Sequence, residues 1–336
     1  MGLRPTSAVD GVTLPILGPT AVIVTHRGGP LLDQCINALL DQTLPPCRVI
    51  VVVSSRSTRV EREDIEVLHM DHDAGFAHAA NVGLRAVGSG DVVLLNDDTL
   101  PHRDFVESLV RSVDEPGVYQ PRILLADGSG RVENTGHRLF PDGFNLARGR
   151  GSHRTEWDTE VGAFSGAAVL LTEEVRQQVG LFDGDFEAFG EDLDLSLRAR
   201  RRGFRIRYVP QAQVLHQLGA SYGRNNPHKV FLVERNRFRA AVRSLPTSAL
   251  VTMPAWTLVR LLGLAVAATV GRGPGAHVGP QGALAAAAGG LSGLLSAPDA
   301  WRKRRQDQPH WTTDDRAMWK HLVRHRVRTQ DLWSAL

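Results

Sequence analysis

The feature that most constrains the fold is an alternation of two hydrophobic patterns between residues 20 and 113. Short apolar, β-branched runs predict buried strands, and they alternate with segments whose apolar residues recur at helical spacing. Strands that alternate with helices at this rhythm form βαβ units around a mostly parallel sheet, so the sequence predicts an α/β fold. The predicted strands are 21–25, 49–53, 65–70 and 92–95, and the predicted helices are 30–42, 77–87 and 102–113.

Length and composition describe an ordinary globular protein. The chain has 336 residues, of which 42% are hydrophobic and 22% are charged, so it can bury a large core. A formal net charge of +3 suits an anionic ligand or membrane surface without demanding nucleic acid. Its two cysteines, Cys35 and Cys47, provide neither a disulfide framework nor a metal-binding spacing, so we expect a reducing, cytoplasmic location.

The chain divides by composition into three parts. Residues 1–19 contain three prolines and no apolar core long enough for a signal peptide, and predict a flexible lead-in. Residues 20–235 carry the alternating pattern and predict the main domain. Residues 236–336 predict a helical C-terminal region.

The C-terminal region offers apolar and basic segments whose role the sequence leaves open. The segment 256–270 is apolar but is interrupted by Arg260 and is too short for a confident membrane span, and 281–297 is rich in Ala and Gly. Trp301 is followed by the basic run Arg302-Lys303-Arg304-Arg305. These helices either lie on an anionic membrane surface at the inner face of the plasma membrane, or pack on the core or on a second subunit of a homodimer.

A polar turn follows the strand 92–95 and is the first candidate site. It reads Asn96-Asp97-Asp98-Thr99, at the end of the strand where open α/β sheets bind ligands. Adjacent carboxylates repel one another unless a cation lies between them, although an ordinary Asx-rich turn is the plain alternative. The chain lacks both G-x-G-x-x-G after the first strand and a P-loop motif, so a bound diphosphate would need a divalent cation as its counter-charge.

A second candidate site is an acidic helix start beside aromatic residues. Glu191, Asp192 and Asp194 open a predicted helix, and Phe182, Phe186 and Phe189 precede them. Acids in a first turn are favoured by the helix dipole, so capping is one explanation. A carboxylate among aromatic walls is also the environment that tunes a general base.

Two further features have competing explanations. The arginines between 198 and 207 lack interleaved aromatic residues, so we interpret most of them as a solvated helix face and strand edge and predict no nucleic-acid partner. His216 follows a predicted strand and is either structural or a donor that completes a carboxylate metal site. The Gly- and Arg-rich segment 130–164 predicts a mobile loop near the site.

An ordered set of motifs resembles the inverting family-2 glycosyltransferases, and most closely bacterial rhamnosyltransferase-type enzymes with the GT-A fold. The resemblance covers about residues 20–225 and implies metal-dependent transfer of a sugar from a nucleotide-diphosphate donor with inversion, in polysaccharide or cell-wall biosynthesis. The motifs are Asp73-Ala-Gly-Phe-Ala, Asn81-Val-Gly83, Leu94-Leu-Asn-Asp-Asp-Thr99, Gly166-Ala-Ala, Phe182-Asp, Glu191-Asp-Leu-Asp-Leu195 and Val209-Pro210 through His216.

The resemblance also assigns roles to individual residues. It places Asp98 and His216 as ligands of Mn²⁺ or Mg²⁺, Asp192 as the catalytic base and Glu191 as its catalytic partner. Glu191, with Gly166 and Ala167, is also placed on the acceptor side. The donor is expected to meet Thr25, Arg27, Ser54, Asn81, Asn96 and Asp97. Ser54 stands where the family usually has an aspartate that recognises the base, and Asp97 stands where proline is more common.

The predicted function is therefore transfer of a rhamnose-like sugar or a hexose to a glycan or polyprenyl-linked glycan. Two alternatives remain at this stage. A nucleotidyltransferase of similar fold would release pyrophosphate instead of nucleoside diphosphate. A catalytically silent glycan- or nucleotide-binding module is the other, and the missing aspartate at Ser54 motivates it.

Overall fold

A computed structural model of the chain describes residues 18–154, 158–217, 226–269 and 279–327. Nearly all of the predicted lead-in, residues 1–17, lies outside the described residues.

Within these residues a nine-stranded mixed sheet forms the centre of the molecule, in the order β3-β2-β1-β4-β10-β6-β11-β5 with β7 paired to β6. The first four strands in this order are parallel, as predicted, whereas β10 is antiparallel to both of its neighbours. The α/β class is confirmed, and the second half of the sheet is mixed. The strands are β1 Thr20–Thr25, β2 Arg48–Val53, β3 Glu66–His69, β4 Val92–Asn96, β5 Thr99–Pro101, β6 Gly117–Leu125, β7 Val132–Asn134, β10 Ala168–Leu171 and β11 Arg205–His216.

Helices cover both faces of this sheet because successive side chains of each buried strand point to opposite sides. Val22 of β1 joins a core with the second helix, whereas the next residue, Ile23, joins a core with the first and third. Gly83 lets the second helix approach closely, since a Cβ there would lie 2.4 Å from Val22 Cγ1. The helices are α1 Pro30–Leu40, α2 Phe76–Ala86, α3 Phe105–Arg111, α4 Glu173–Val179 and α5 Glu191–Arg201.

The segment predicted as a loop contains strands. Besides β7, it forms an antiparallel hairpin of β8 His137–Leu139 and β9 Asn145–Ala147. Each strand has only three residues, too few to show an alternating hydrophobic pattern. Residues 155–157 of this segment lie outside the described residues, and its mobility stays a prediction.

The C-terminal region is helical, as predicted, and shares a core with α5. Leu193 and Leu197 of α5 pack with Ala240, Met253 and Leu322. The predicted boundary at residue 235 lies inside the long helix that follows β11, and the division into domains stays a prediction. The helices are α6 Pro227–Ser244, α7 Thr247–Thr269, α8 Pro280–Leu295, α9 Ala297–Asp307 and α10 Asp315–Arg324.

The basic run on α9 is not a free cationic patch, which corrects the electrostatic part of the membrane interpretation. Arg304 is buried, and its guanidinium donates to the Leu245 carbonyl at 2.7 Å. Lys303 Nζ donates to the carboxylates of Asp183 and Asp185 at 2.7 and 2.6 Å. Half of the run therefore holds α9 against the rest of the molecule.

Some of the arginines expected on a solvated helix face are also buried. Arg201 has no exposed surface, pairs with Asp315 at 2.7 Å and lies over the Trp311 ring at 4.0 Å. Arg198 pairs with the fully buried Asp194 at 2.7 Å. These arginines are structural, because each satisfies its charge within the fold.

The polarity of α7 is inverted relative to an ordinary surface helix. Arg260 is buried and bonds to Asp142 and Glu234 at 2.8 Å, whereas Leu258 and Leu262 are each 58% exposed. Among the described residues, no helix is both long and apolar enough to cross a membrane.

Candidate active site

Most of the site residues predicted from the sequence line one cavity of about 1260 Å³. It opens at the carboxyl ends of β1, β2 and β4, where ligands bind in open α/β sheets. Its other walls come from the loop before α5, from α6 and from residues 279–282 at the start of α8. The predicted site residues that line it are Arg27, Ser54, Asn96, Asp97, Asp98, Gly166, Ala167, Glu191, Asp192 and His216.

Asp98 and His216 meet because of the register of two strands. β11 runs antiparallel to β5, and His216 pairs with Thr99, the residue after Asp98. His216 Nε2 lies 3.0 Å from Asp98 Oδ1, and Nδ1 lies 2.7 Å from Glu133 Oε2 on β7. Burial alone would lower the pKa of His216, but the Asp98 and Glu133 carboxylates outweigh it and raise the pKa to about 10.

This pair fits a divalent metal. Asp98 Oδ1 is buried and lacks a well-angled hydrogen bond within the described part of the chain. With Nδ1 bonded to Glu133, His216 would turn an Nε2 lone pair towards Asp98 once a bound metal displaced the Nε2 proton. No cluster of three or more His, Cys, Asp or Glu side chains suited to a metal occurs among the described residues. Carboxylate and imidazole donors suit Mn²⁺, and substrate phosphates commonly supply further ligands to such ions.

Thr25 acts on the site through Asp97. It is buried, and its hydroxyl donates to Asp97 Oδ2 at 2.5 Å and accepts from the Gly28 amide at 2.9 Å. Burial raises the pKa of Asp97, the Thr25 bond opposes this, and the charge of Asp98 raises it further. Thr25 therefore orients Asp97, which itself lines the cavity.

Asn81 has a structural position, in contrast to the expected contact with donor. Its side chain is buried, donates to the Phe182 carbonyl at 2.8 Å and accepts from the Phe182 amide at 3.0 Å. These two bonds tie α2 to the chain ahead of α5. Asn81 is thus not among the residues that line the cavity, and it fixes the chain that leads into α5.

Ser54 directly follows β2 and lines the cavity. Its hydroxyl donates to the Thr25 carbonyl at 3.2 Å and lies 3.3 Å from His26 Nδ1. His26 Nδ1 is also 3.4 Å from Asp73 Oδ2, and both of these side chains line the cavity. His26 thus lies between Ser54 and the carboxylate of Asp73.

Glu191 and Asp192 open α5 and have different surroundings. Asp192 is half-buried, and its carboxylate accepts from the Gly166 amide at 3.1 Å and the Leu193 amide at 2.8 Å. Glu191 is buried, and its Oε2 has no hydrogen-bond partner among the residues that the structure describes. Burial, and then the charge of Asp192, raise the pKa of Glu191 well above its ordinary value.

Gly166 and Ala167 place the end of β4 beside these acids. A Cβ on Gly166 would lie 3.8 Å from both Asp192 Oδ2 and Glu191 Oε1. The Ala167 carbonyl accepts from the Asn96 amide at 3.0 Å. The geometry brings the Asp98 turn and the Asp192 helix to one cavity.

Sequence reasoning missed several cavity residues. Glu133 and Arg150 lie in the segment with weak periodicity, and Lys229 and Arg237 lie on α6. Charged side chains at a helix start or in a short strand carry no pattern that separates a site from a surface. Only the tertiary structure places them together.

Comparisons with known proteins show the family to which the chain belongs. The model of the family described as "Glycosyltransferase like family 2" matches residues 18–242. A pre-mycofactocin glycosyltransferase of Mycobacterium tuberculosis is 35% identical over 179 residues, which cover 50% of this chain and 37% of that protein. An N-acetylglucosaminyl-diphospho-decaprenol L-rhamnosyltransferase of the same organism is 26% identical over 268 residues, covering 66% and 87%. The match to the first of these relatives thus spans well under half of its length.

Solved structures share the fold. The structure of GalNAc-T7 with UDP, GalNAc and Mn²⁺ has a TM-score of 0.57 at 16% identity, covering 72% of this chain and 50% of that one. That of S. aureus TarS 1-349 has a TM-score of 0.54 at 13% identity, covering 87% and 90%. These likenesses show the GT-A fold. Since the family model covers well over half of the sequence, the chain belongs to glycosyltransferase family 2.

Proposed function

We propose that this protein is a metal-dependent, inverting glycosyltransferase that uses a nucleoside-diphosphate sugar. The observation that carries the proposal is the single cavity in which the Asp98–His216 pair and the Glu191–Asp192 pair lie together. A metal held by Asp98 and His216 would neutralise a diphosphate leaving group, and the Glu191–Asp192 pair offers a carboxylate that can accept a proton from a hydroxyl nucleophile. A single displacement at the anomeric carbon needs both pairs in the same cavity.

Asp192 is the residue that accepts the acceptor's proton. As the acceptor oxygen bonds to the anomeric carbon, the bond from that carbon to the diphosphate oxygen breaks, and the hydroxyl proton passes to a carboxylate oxygen. Asp192 is held by two backbone amides and lines the cavity, whereas the buried Glu191 has a raised pKa and favours its neutral form. A neutral Glu191 leaves Asp192 as the charged member of the pair.

Asp98 and His216 are the residues that would hold the metal, with Glu133 orienting the imidazole. A divalent ion bound there supplies Lewis-acid neutralisation of the charge on the departing diphosphate. Thr25 keeps the Asp97 carboxylate in place beside this turn, and Arg27 adds a positive charge at the cavity wall.

The donor is proposed to carry a rhamnose-like sugar or a hexose, and the acceptor to be a glycan or a polyprenyl-linked glycan. The name of the rhamnosyltransferase relative, which acts on a decaprenol-linked sugar, supports this choice. The exposed leucines of α7 also support a location beside lipid, because an inward Arg260 leaves an apolar outer face.

Two substitutions test the proposal. Asp98→Ala and Asp192→Asn should each remain folded, with a cooperative thermal unfolding transition, and Asp192→Asn should lower turnover by about 10²- to 10⁴-fold. Turnover is measured as nucleoside diphosphate released from UDP- and dTDP-sugars with Mn²⁺ and a lipid-linked glycan acceptor. Asp41→Asn, an exposed acid outside the cavity, is the matched control.

The outcomes separate the alternatives. Full turnover in both variants would overturn the assignment of the two sites. Release of pyrophosphate from a nucleoside triphosphate supplied with a sugar 1-phosphate would instead indicate a nucleotidyltransferase. Absence of any Mn²⁺-linked thermal stabilisation by UDP or dTDP would indicate a silent binding module.

A further inference from the structure

Two cations that line the cavity, Arg150 and Lys229, form no ion pair with the residues that the structure describes. Arg150 follows the hairpin strand β9, and Lys229 lies in the first turn of α6. Both line the cavity and both are half-buried. Burial and then the charge of Arg150 lower the pKa of Lys229, while the charge of Glu133 opposes them, so these three side chains lie in one region of the cavity.

Neither cation forms a hydrogen bond or an ion pair with any residue in the described ranges 18–154, 158–217, 226–269 and 279–327. Lys229 makes only a cation–π contact, with Nζ 5.2 Å from the Phe189 ring centroid. Arg237 on the same cavity wall differs, since it pairs with Asp142 and Glu234 at 3.2 and 3.0 Å. Acids are abundant in the cavity lining, which includes Asp73, Asp97, Asp98, Glu133, Glu191 and Asp192.

The position of Lys229 is unfavourable for folding alone. It occupies the first turn of an 18-residue helix that has no acidic residue in that turn. The helix dipole disfavours a cation there, and Arg150 adds a second like charge. A half-buried cation in such a place is stabilised when an anion binds between the two groups.

We infer that Arg150 and Lys229 form a subsite for a phosphate group of the acceptor. The inference rests on the proposed function and names a feature of its acceptor, a phosphate or diphosphate near the reacting sugar. Phe189, which lies under Lys229, is followed directly by Gly190, Glu191 and Asp192. The pair thus adjoins the segment that carries the proton acceptor, and the guanidinium fork of Arg150 suits bidentate contact with phosphate oxygens.

The test uses pyrophosphate as the probe, in the full chain with EDTA so that no metal bridges it. Titration calorimetry should detect binding to wild type, and Arg150→Gln/Lys229→Gln should weaken it by about tenfold or more, as expected for lost charge-assisted contacts. The charge-retaining pair Arg150→Lys/Lys229→Arg should keep most of the affinity. The control Arg305→Gln/Lys320→Gln removes the same charge from exposed positions outside the cavity and should bind as wild type.

A second titration distinguishes the acceptor from the donor as the source of the phosphate. UDP and dTDP are titrated with Mn²⁺ into the same variants, and unchanged affinity in Arg150→Gln/Lys229→Gln supports the acceptor. A tenfold loss of nucleotide affinity would assign the pair to the donor and overturn the inference, as would wild type that ignores pyrophosphate. Pyrophosphate binding in a protein that binds neither nucleotide would leave the subsite intact and refute the proposed function.

Discussion

Asn236 holds the loop that precedes Glu191 and Asp192, and replacing it should lower both stability and turnover. The side chain has no exposed surface, and its Nδ2 donates to the carbonyls of Phe186, Ala188 and Phe189 at 2.8, 3.0 and 2.7 Å. Glu187 and Phe189 have φ of 61° and 64°, in the left-handed region that non-glycine residues rarely adopt. This strained loop persists only while its surroundings hold it.

The size of the effect follows from those contacts. Asn236→Leu keeps the approximate volume and removes both amide hydrogens, which three buried or part-buried carbonyls share. An unsatisfied buried group costs about 1–3 kcal/mol, and carbonyls tolerate under-satisfaction better than amides. We therefore expect a loss of about 2–4 kcal/mol in the free energy of unfolding. Relaxation of the left-handed residues should also displace Glu191 and Asp192 and lower kcat.

Urea unfolding and steady-state kinetics measure the two effects. Affinity for UDP with Mn²⁺ should stay near wild type, because Asp98 and His216 lie on other elements. His228→Ala, an exposed change on the same helix, is the control. A loss below about 0.5 kcal/mol, the usual range for surface substitutions, or a wild-type kcat would refute this account of the loop.

Two more predictions concern buried charge and the apolar face. A raised pKa means that the folded state holds the Glu191 proton more tightly than the unfolded chain does, so this contribution to stability is present below the ordinary value of 4.5 and is lost as pH rises through the folded-state pKa. Glu191→Gln should therefore gain melting temperature relative to wild type at pH 8 but not at pH 4, and equal differences at both would contradict it. Binding to lipid vesicles through α7 should weaken in the variant Leu258→Gln/Leu262→Gln and should not change with salt concentration. Co-sedimentation with vesicles that changes with salt but not with these substitutions would contradict this orientation of the helix.

The first strands, their alternation with helices and the polar turn after β4 were predictable because their patterns are local or recur at fixed spacing. β4 ends in a polar turn at the edge of the sheet where ligands bind. Predicting this required only the apolar run of the strand and the polar residues that follow it. Placing His216 beside Asp98 needed the antiparallel register of β11 with β5, which no local pattern specifies. The resemblance to the family supplied that pairing in advance.

Other features depended on long-range contacts that a single sequence does not display. Arg304 looks like part of a cationic surface run, yet its guanidinium satisfies main-chain carbonyls at the end of α6. Asn81 sits in a site motif, yet both of its polar atoms bond to Phe182 across 101 positions of the chain. A charge or amide has the same appearance in sequence whether it meets solvent, substrate or backbone.

Part of the cavity wall lies beyond the segment that the family model matches. The family match ends at residue 242, whereas residues 279–282 at the start of α8 line the same cavity. α6 connects the two regions, since it carries Lys229 into the cavity and packs against α8 through contacts such as Gly293 beside Phe238. A change in how α8 packs would therefore reshape the part of the cavity wall formed by α6 and α8 while leaving the Asp98–His216 pair and Asp192 in place. We accordingly expect acceptor choice to depend on the C-terminal helices, and donor activation on the strand ends.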